Sequence, residues 1–184
     1  MNMRRSQNIR ALLPGCLLLA MAGSAHAQFA STGTTTLQVT IGPEAALQIA
    51  ATTNLTTAGT IFNANYTGTT NLTYKVRTTK STGTGAITLK VTTDFSPSSG
   101  PSVLTPPTAG DTLTYTCTLT SPGTGCSSSQ TASTSSSTPV GTFGADAKSA
   151  SAGNSGSVAW TLTDDPQYST GTYTATVTFT ISAT

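Results

Sequence analysis

The chain closes on GTYTATVTFTISAT, with threonine at 172, 174, 176, 178 and 180 and apolar side chains at 173, 175, 177, 179 and 181. Successive Cβ atoms of an extended strand point to opposite faces, so a strict period of two commits this stretch to a strand with one buried face. A helix would scatter the same apolar residues around its axis. Threonine suits both requirements: its β-branch favours strands, and its hydroxyl hydrates the outer face without charge. With five apolar side chains on one face, Tyr173 to Ile181, this run is expected to lie centrally in a sheet, with Thr172 to Thr180 towards solvent.

The same period recurs along the chain. Leu37, Val39 and Ile41 alternate with threonine and glutamine until Pro43. Leu47 and Ile49 make a shorter run, where PEAAL also permits a helical turn. Leu72, Tyr74 and Val76 follow, then the turn KSTGTG, then Ile87, Leu89 and Val91. Leu113, Tyr115, Cys117 and Leu119 form another run. Val140 and Phe143 suit a short edge strand after Pro139, and Val158, Trp160 and Leu162 make a clear strand with Trp160 in the core. The eight prolines after residue 27 all fall between these runs, where a missing N–H is harmless. The segment 127–139, SSSQTASTSSSTP, reads as a long hairpin tip or mobile loop. About seven or eight short strands separated by turn signals, without a helix, predict an all-β fold: a single immunoglobulin-like antiparallel β-sandwich.

The first residues stand apart from this pattern. Arg4, Arg5 and Arg10 precede the short apolar run ALLPGCLLLAMAG, and Ala25 to Ala27 place small residues before a cleavage point at Gln28. These are the parts of a secretory signal peptide, 1–27, ahead of a single domain at 28–184. The expected location is secreted, periplasmic or on the cell surface, with no membrane span after cleavage. Cleavage removes the one histidine, His26, and leaves five basic against six acidic side chains, a formal charge of −1. The overall excess of positive charge therefore belongs to the leader and gives no reason to expect a nucleic-acid partner. Charged residues are only 8% of the chain, and its 42 threonines take their place.

Two cysteines remain after cleavage, Cys117 and Cys126, and in an oxidising compartment they are expected to pair. Closing that ten-residue loop is worth at most roughly 2.7 kcal/mol by chain entropy. Without an imidazole, Ser–His–Asp and Cys–His catalysis are excluded, and so are the usual zinc and copper sites. No phosphate-binding glycine loop is present. Asp164-Asp165, with Asp146 or a loop carbonyl, is the one pair suited to calcium. A polar turn ahead of Pro166 explains the pair more simply, so no cofactor or metal site is assigned and no enzyme is expected. If STGT joins two antiparallel strands, Lys75 and Lys90 face each other, and Lys75, Arg77, Lys80 and Lys90 gather on one hairpin as a contact for a partner subunit or an anionic glycan. A solvated lysine face that discourages edge pairing is the plainer explanation.

The signal peptide, the first run TTTLQVTI and the ending STGTYTATVTFTIS together resemble the secreted bacterial β-sandwich subunits of pili and spore-coat U-type coats. Gly171, Tyr173, Val177 and Phe179 look like the Gly-x-Tyr opening and alternating run with which many such subunits end. The resemblance implies a domain that lacks one strand and is completed by a neighbour's N-terminal strand; Leu37, Val39 and Ile41 would be the donor, or else the first strand of the domain. Two features depart from the family pattern: a long donor extension is missing, and Cys117–Cys126 sits in mid-domain. The expected function is a non-enzymatic structural or adhesive protein of the cell surface, a filament or coat subunit whose partner is itself. The alternative is a carbohydrate-binding or adhesin module for surface polysaccharide, with Phe62, Tyr66 and Tyr168 as stacking platforms. Ice binding by the threonine rows at 112–118 and 172–180 is a distant third, since twisted strands seldom present a flat lattice.

Overall fold

The computed structural model describes residues 32–62 and 64–184, so the expected signal peptide lies outside the described residues. The chain divides into one unit at 1–39 and another at Thr40–Thr184. In the first, residues 32–39 adopt no regular secondary structure and are exposed. The second is an all-β sandwich with no helix among its described residues.

One sheet contains β1 (Glu44–Ile49), β2 (Thr56–Thr57), β3 (Tyr66–Arg77), β5 (Thr114–Leu119), β7 (Gln130–Thr131) and β9 (Asn154–Leu162). Its order is β1-β3-β9-β5-β7, with β2 beside β1 on the same edge of β3. The other contains β4 (Gly85–Ser96), β6 (Thr124–Gly125), β8 (Thr138–Phe143) and β10 (Thr174–Ala183), in the order β10-β4-β8-β6. Every pairing is antiparallel.

The core is made by the alternation read from the sequence. Leu72, Tyr74, Val76, Tyr115, Cys117, Val158, Trp160 and Leu162 face inward from the first sheet, and Ile87, Leu89, Val91, Val140 and Phe143 from the second. Burying each large apolar side chain stabilises by about 1.5–3 kcal/mol. The polar atoms of the core aromatics are all paired. Trp160 Nε1 donates to Thr70 Oγ1 at 2.8 Å, and its ring lies 5.2 Å from Tyr115. Tyr115 donates to the carbonyl of Pro139 at 2.9 Å, which ties the sheets together. Tyr74 packs on Phe143 at 5.1 Å, donates to Thr120 O and accepts from Gly123 N.

Several expectations need correction. Residues 36–41 are not the first strand; the sheet begins after Pro43, at Glu44, and PEAAL enters a strand, not a helical turn. The turn KSTGTG does not close a hairpin, because β3 and β4 belong to different sheets. It is an inter-sheet link, pinned where Thr78 donates to Gly144 O at 2.7 Å and Thr79 N to Thr184 O at 2.9 Å. The closing run β10 is an edge strand, not a central one. Pro139 lies inside β8, at a register shift opposite Thr88, where a bulge dispenses with its missing N–H. The segment 127–139 is also no free tip. Ala132 is buried and its N–H bonds Leu113 O at 2.9 Å, while Ser133 O accepts from Val91 N at 3.0 Å.

Candidate functional site

The sandwich has one unfinished side. β1 ends one sheet, β10 ends the other, and the two strands lie against each other across the layers. Their inward rows are Ala45, Leu47 and Ile49 on β1, and Ala175, Val177, Phe179, Ile181 and Ala183 on β10. All of them are only half-buried. A shallow depression at the end of β1 is lined by Gln48, Ile49, Asn71 and Leu72. β10 pairs with β4 along one edge, and among the described strands nothing pairs with its other edge. Such an edge presents a row of unpaired N–H and C=O groups, which proteins usually blunt with lysine, proline or brevity. β10 uses none of these: it is 10 residues long, TATVTFTISA, without charge or proline.

The segment before β1 has matching properties. Leu37, Val39 and Ile41 are 91%, 80% and 65% exposed, an alternating apolar row with no partner strand among the described residues. At the root of this segment, Arg77 holds the chain: Nε donates to Gly42 O at 2.8 Å, and the guanidinium pairs with Glu44 at 2.9 Å.

The basic residues do not form one cluster. Lys75 faces out of the first sheet opposite Ala46, and Lys90 faces out of the second opposite Thr178. Arg77 is taken by Glu44, and Lys80 lies near Asp146, whose carboxyl is held below its ordinary range chiefly by the bond from Lys148 at 2.7 Å. Of the three aromatic platforms, Phe62 is 68% exposed while Tyr66 and Tyr168 are half-buried. The Cys117–Cys126 disulfide is formed, with a Cα–Cα distance of 5.2 Å, and it joins β5 of one sheet to the end of β6 of the other.

The carboxylates near Asp164 are arranged differently from expectation. Asp146 is engaged by Lys148, and the residue that meets Asp165 is Asp111, in the loop before β5. Asp111 is pushed up by burial and by the facing Asp165 carboxylate. Asp165 is held down by the Thr108 hydroxyl and the Gln167 N–H, the latter at 2.8 Å. Tyr168 is pushed up to about 12 by burial and by the charges of Asp111, Asp165 and Asp164. Asp164 lies by Tyr66, which is raised by burial and by that carboxylate. Among the described residues no three His, Cys, Asp or Glu side chains form a metal-holding group. Sequence reasoning missed Asp111 because 53 positions separate it from Asp164 and no local pattern links them. It also missed the edge position of β10, for which the absence of charge and proline was a usable sign.

Comparison of the chain with protein-family models, curated proteins and solved structures finds no match.

Proposed function

We propose that this protein is a secreted, non-enzymatic structural subunit of the cell surface that assembles by strand exchange between copies. In this reading residues 34–41 of one copy lie along the free edge of β10 in the next. Leu37, Val39 and Ile41 then fill the side left half-buried between β1 and β10. The observation that carries the reading is the coincidence of an unpartnered alternating strand with an unblocked, uncharged edge whose inward row is incompletely covered. The lengths agree: eight extended residues span about 26 Å, most of a ten-residue strand. Main-chain bonds to the edge supply affinity, and alternate side chains set register. The likeness to pilus and spore-coat U-type subunits supports the same assembly.

The test is polymer formation. The exported chain should form concentration-dependent or detergent-resistant oligomers, and deletion of residues 28–41 should leave a folded monomer. A full-length chain that stays monomeric at every concentration would end the proposal. If the segment instead folds back on its own domain, deletion would lower the melting temperature of a monomer without changing its mass, which also overturns it.

A further inference from the structure

We propose that the end of the sandwich where the loop before β5 meets the loop after β9 binds a hard divalent cation of the calcium class. Asp111 and Asp165 are its charged ligands, and uncharged oxygens of those loops complete the shell.

Asp165 is only 5% exposed. One of its oxygens, Oδ1, accepts from Gln167 N at 2.8 Å, while Oδ2 is sealed from solvent and has no hydrogen-bond partner. The carboxylate of Asp111 faces Asp165 at hydrogen-bonding range. Two ionised carboxylates are acceptors only, so neither satisfies the other. The Tyr168 hydroxyl, close to both, is likewise buried without a partner. A buried polar atom left unpaired is destabilising, and more so when it is charged, so two together call for a missing group.

The missing group is positive. Asp111, Asp164 and Asp165 are three of the six acidic residues, and the ion pairs among the described residues, Arg77–Glu44 and Lys148–Asp146, involve none of them. A shared proton would neutralise one of the three carboxylates; a divalent cation neutralises two and takes the lone pairs of buried oxygens as well. The side chains that bear on the pair offer oxygen ligands: the Asp164 carboxylate and the Thr108 and Tyr168 hydroxyls. That set excludes soft metals, and calcium accepts irregular loop oxygens where magnesium demands a near-ideal octahedron. The loop concerned also delivers the chain to β10: Tyr168 N bonds Asp165 O at 3.0 Å and Ser169 N bonds Ser99 O at 2.9 Å. None of the proposed ligands belongs to β1, β10 or the 34–41 segment, so cation binding and assembly can fail separately.

The test uses the full exported chain stripped with a chelator. Its melting temperature is measured in calcium chloride, magnesium chloride and sodium chloride of matched ionic strength, and terbium emission is read under tyrosine excitation. Millimolar calcium should raise the melting temperature by several degrees, well beyond magnesium or sodium, since a ligand of the folded state stabilises it by mass action. Terbium should luminesce through Tyr168 and be displaced by calcium. Asp111→Asn, in a half-exposed loop, should fold normally and lose both responses. Asp165→Asn is the second variant, with Asp111→Asn decisive if it does not fold. The proposal is overturned if calcium acts no differently from sodium, or if Asp111→Asn responds like the wild type. Stabilisation that appears only on acidification would assign the gap to a shared proton among Asp111, Asp164 and Asp165, and would overturn it too.

Discussion

The flank formed by β5, β7, β8 and β6 and the flank formed by β1 and β10 use similar residues and are finished differently. On the first, the Cys117–Cys126 bond crosses between sheets, Ser133 O accepts from Val91 N, and Tyr115 donates to Pro139 O. Tyr115, Cys117, Val140 and Phe143 are buried, and the edge strands β6 and β7 have only 2 residues each. On the second, no disulfide joins the sheets among the described residues, and Leu47, Ile49, Val177, Phe179 and Ile181 remain half-buried beside a long, regular edge. A sandwich stabilised well enough on one flank can leave the other incomplete. Brevity and covalent closure protect one edge from unwanted pairing, whereas the β10 edge has no such protection and is suited to pairing.

The centre of the sandwich serves both flanks, and its loss should be the most damaging. Trp160→Ala empties a large buried site against Tyr115 and removes the indole bond to Thr70, and is expected to cost about 3–5 kcal/mol. Urea unfolding of the subunit lacking residues 28–41 measures it. Next comes the closed flank. Cys117→Ser with Cys126→Ser should cost about 2 kcal/mol, within the chain-entropy ceiling for so local a loop. The double variant should also make the flank behave like its opposite, with faster proteolysis around 120–136. A double variant as resistant as the wild type would mean that the hydrogen bonds of Ala132 and Ser133 close the flank unaided.

How much of this contrast was legible follows from what a period of two encodes. It told which side chains of β3, β4, β5, β9 and β10 face inward, so Trp160 and the apolar rows were readable, while the two-cysteine bridge was readable from the cysteine count of an exported chain. It says nothing about which strand lies beside which. The link at Thr78 to Thr84 would look the same as a hairpin or as a crossing between sheets, and Lys75 and Lys90 were therefore placed on one surface when they occupy two. Leu37, Val39 and Ile41 alternate as well as any core strand, yet are exposed, because alternation describes readiness to pair and not a partner. The meeting of Asp111 with Asp165 depends on β5 lying next to β9, a tertiary fact with no local trace.

The open flank should tolerate truncation better than the centre does. Phe179→Ala removes a ring that is half-buried in the free subunit, so a loss of about 1–2 kcal/mol is expected there, by area in proportion to a buried aromatic. In assembled material the same change should cost more, since a neighbour's strand would complete the burial of Phe179. Unfolding of the 28–41 deletion beside dissociation of full-length oligomers separates the two. Equal effects in both would mean that Phe179 is no better covered in the assembly and would count against strand exchange at β10.

The smallest expected effect concerns the loop that guides the chain into β10. Asp94 ends the regular part of β4 and organises residues 95–105, and Gly100 in that loop meets the ring of Tyr173 just before β10. Burial raises the Asp94 carboxyl, but this is outweighed by bonds from Val103 N at 2.8 Å, Ser102 Oγ at 2.7 Å, Leu104 N at 3.1 Å and Phe95 N at 2.8 Å. The net result is an acid stronger than in the unfolded chain. Its contribution to stability is therefore fully present above the unfolded carboxyl range, and it is lost as pH falls through the lowered native value. Asp94→Asn keeps the shape and removes the charge. It should lower the melting temperature by a few degrees at pH 7, and the gap to the wild type should begin to narrow below about pH 4 and close only below the lowered native value, where both side chains are neutral. A gap independent of pH would show that the loop is held by the geometry of its bonds and not by the charge they surround.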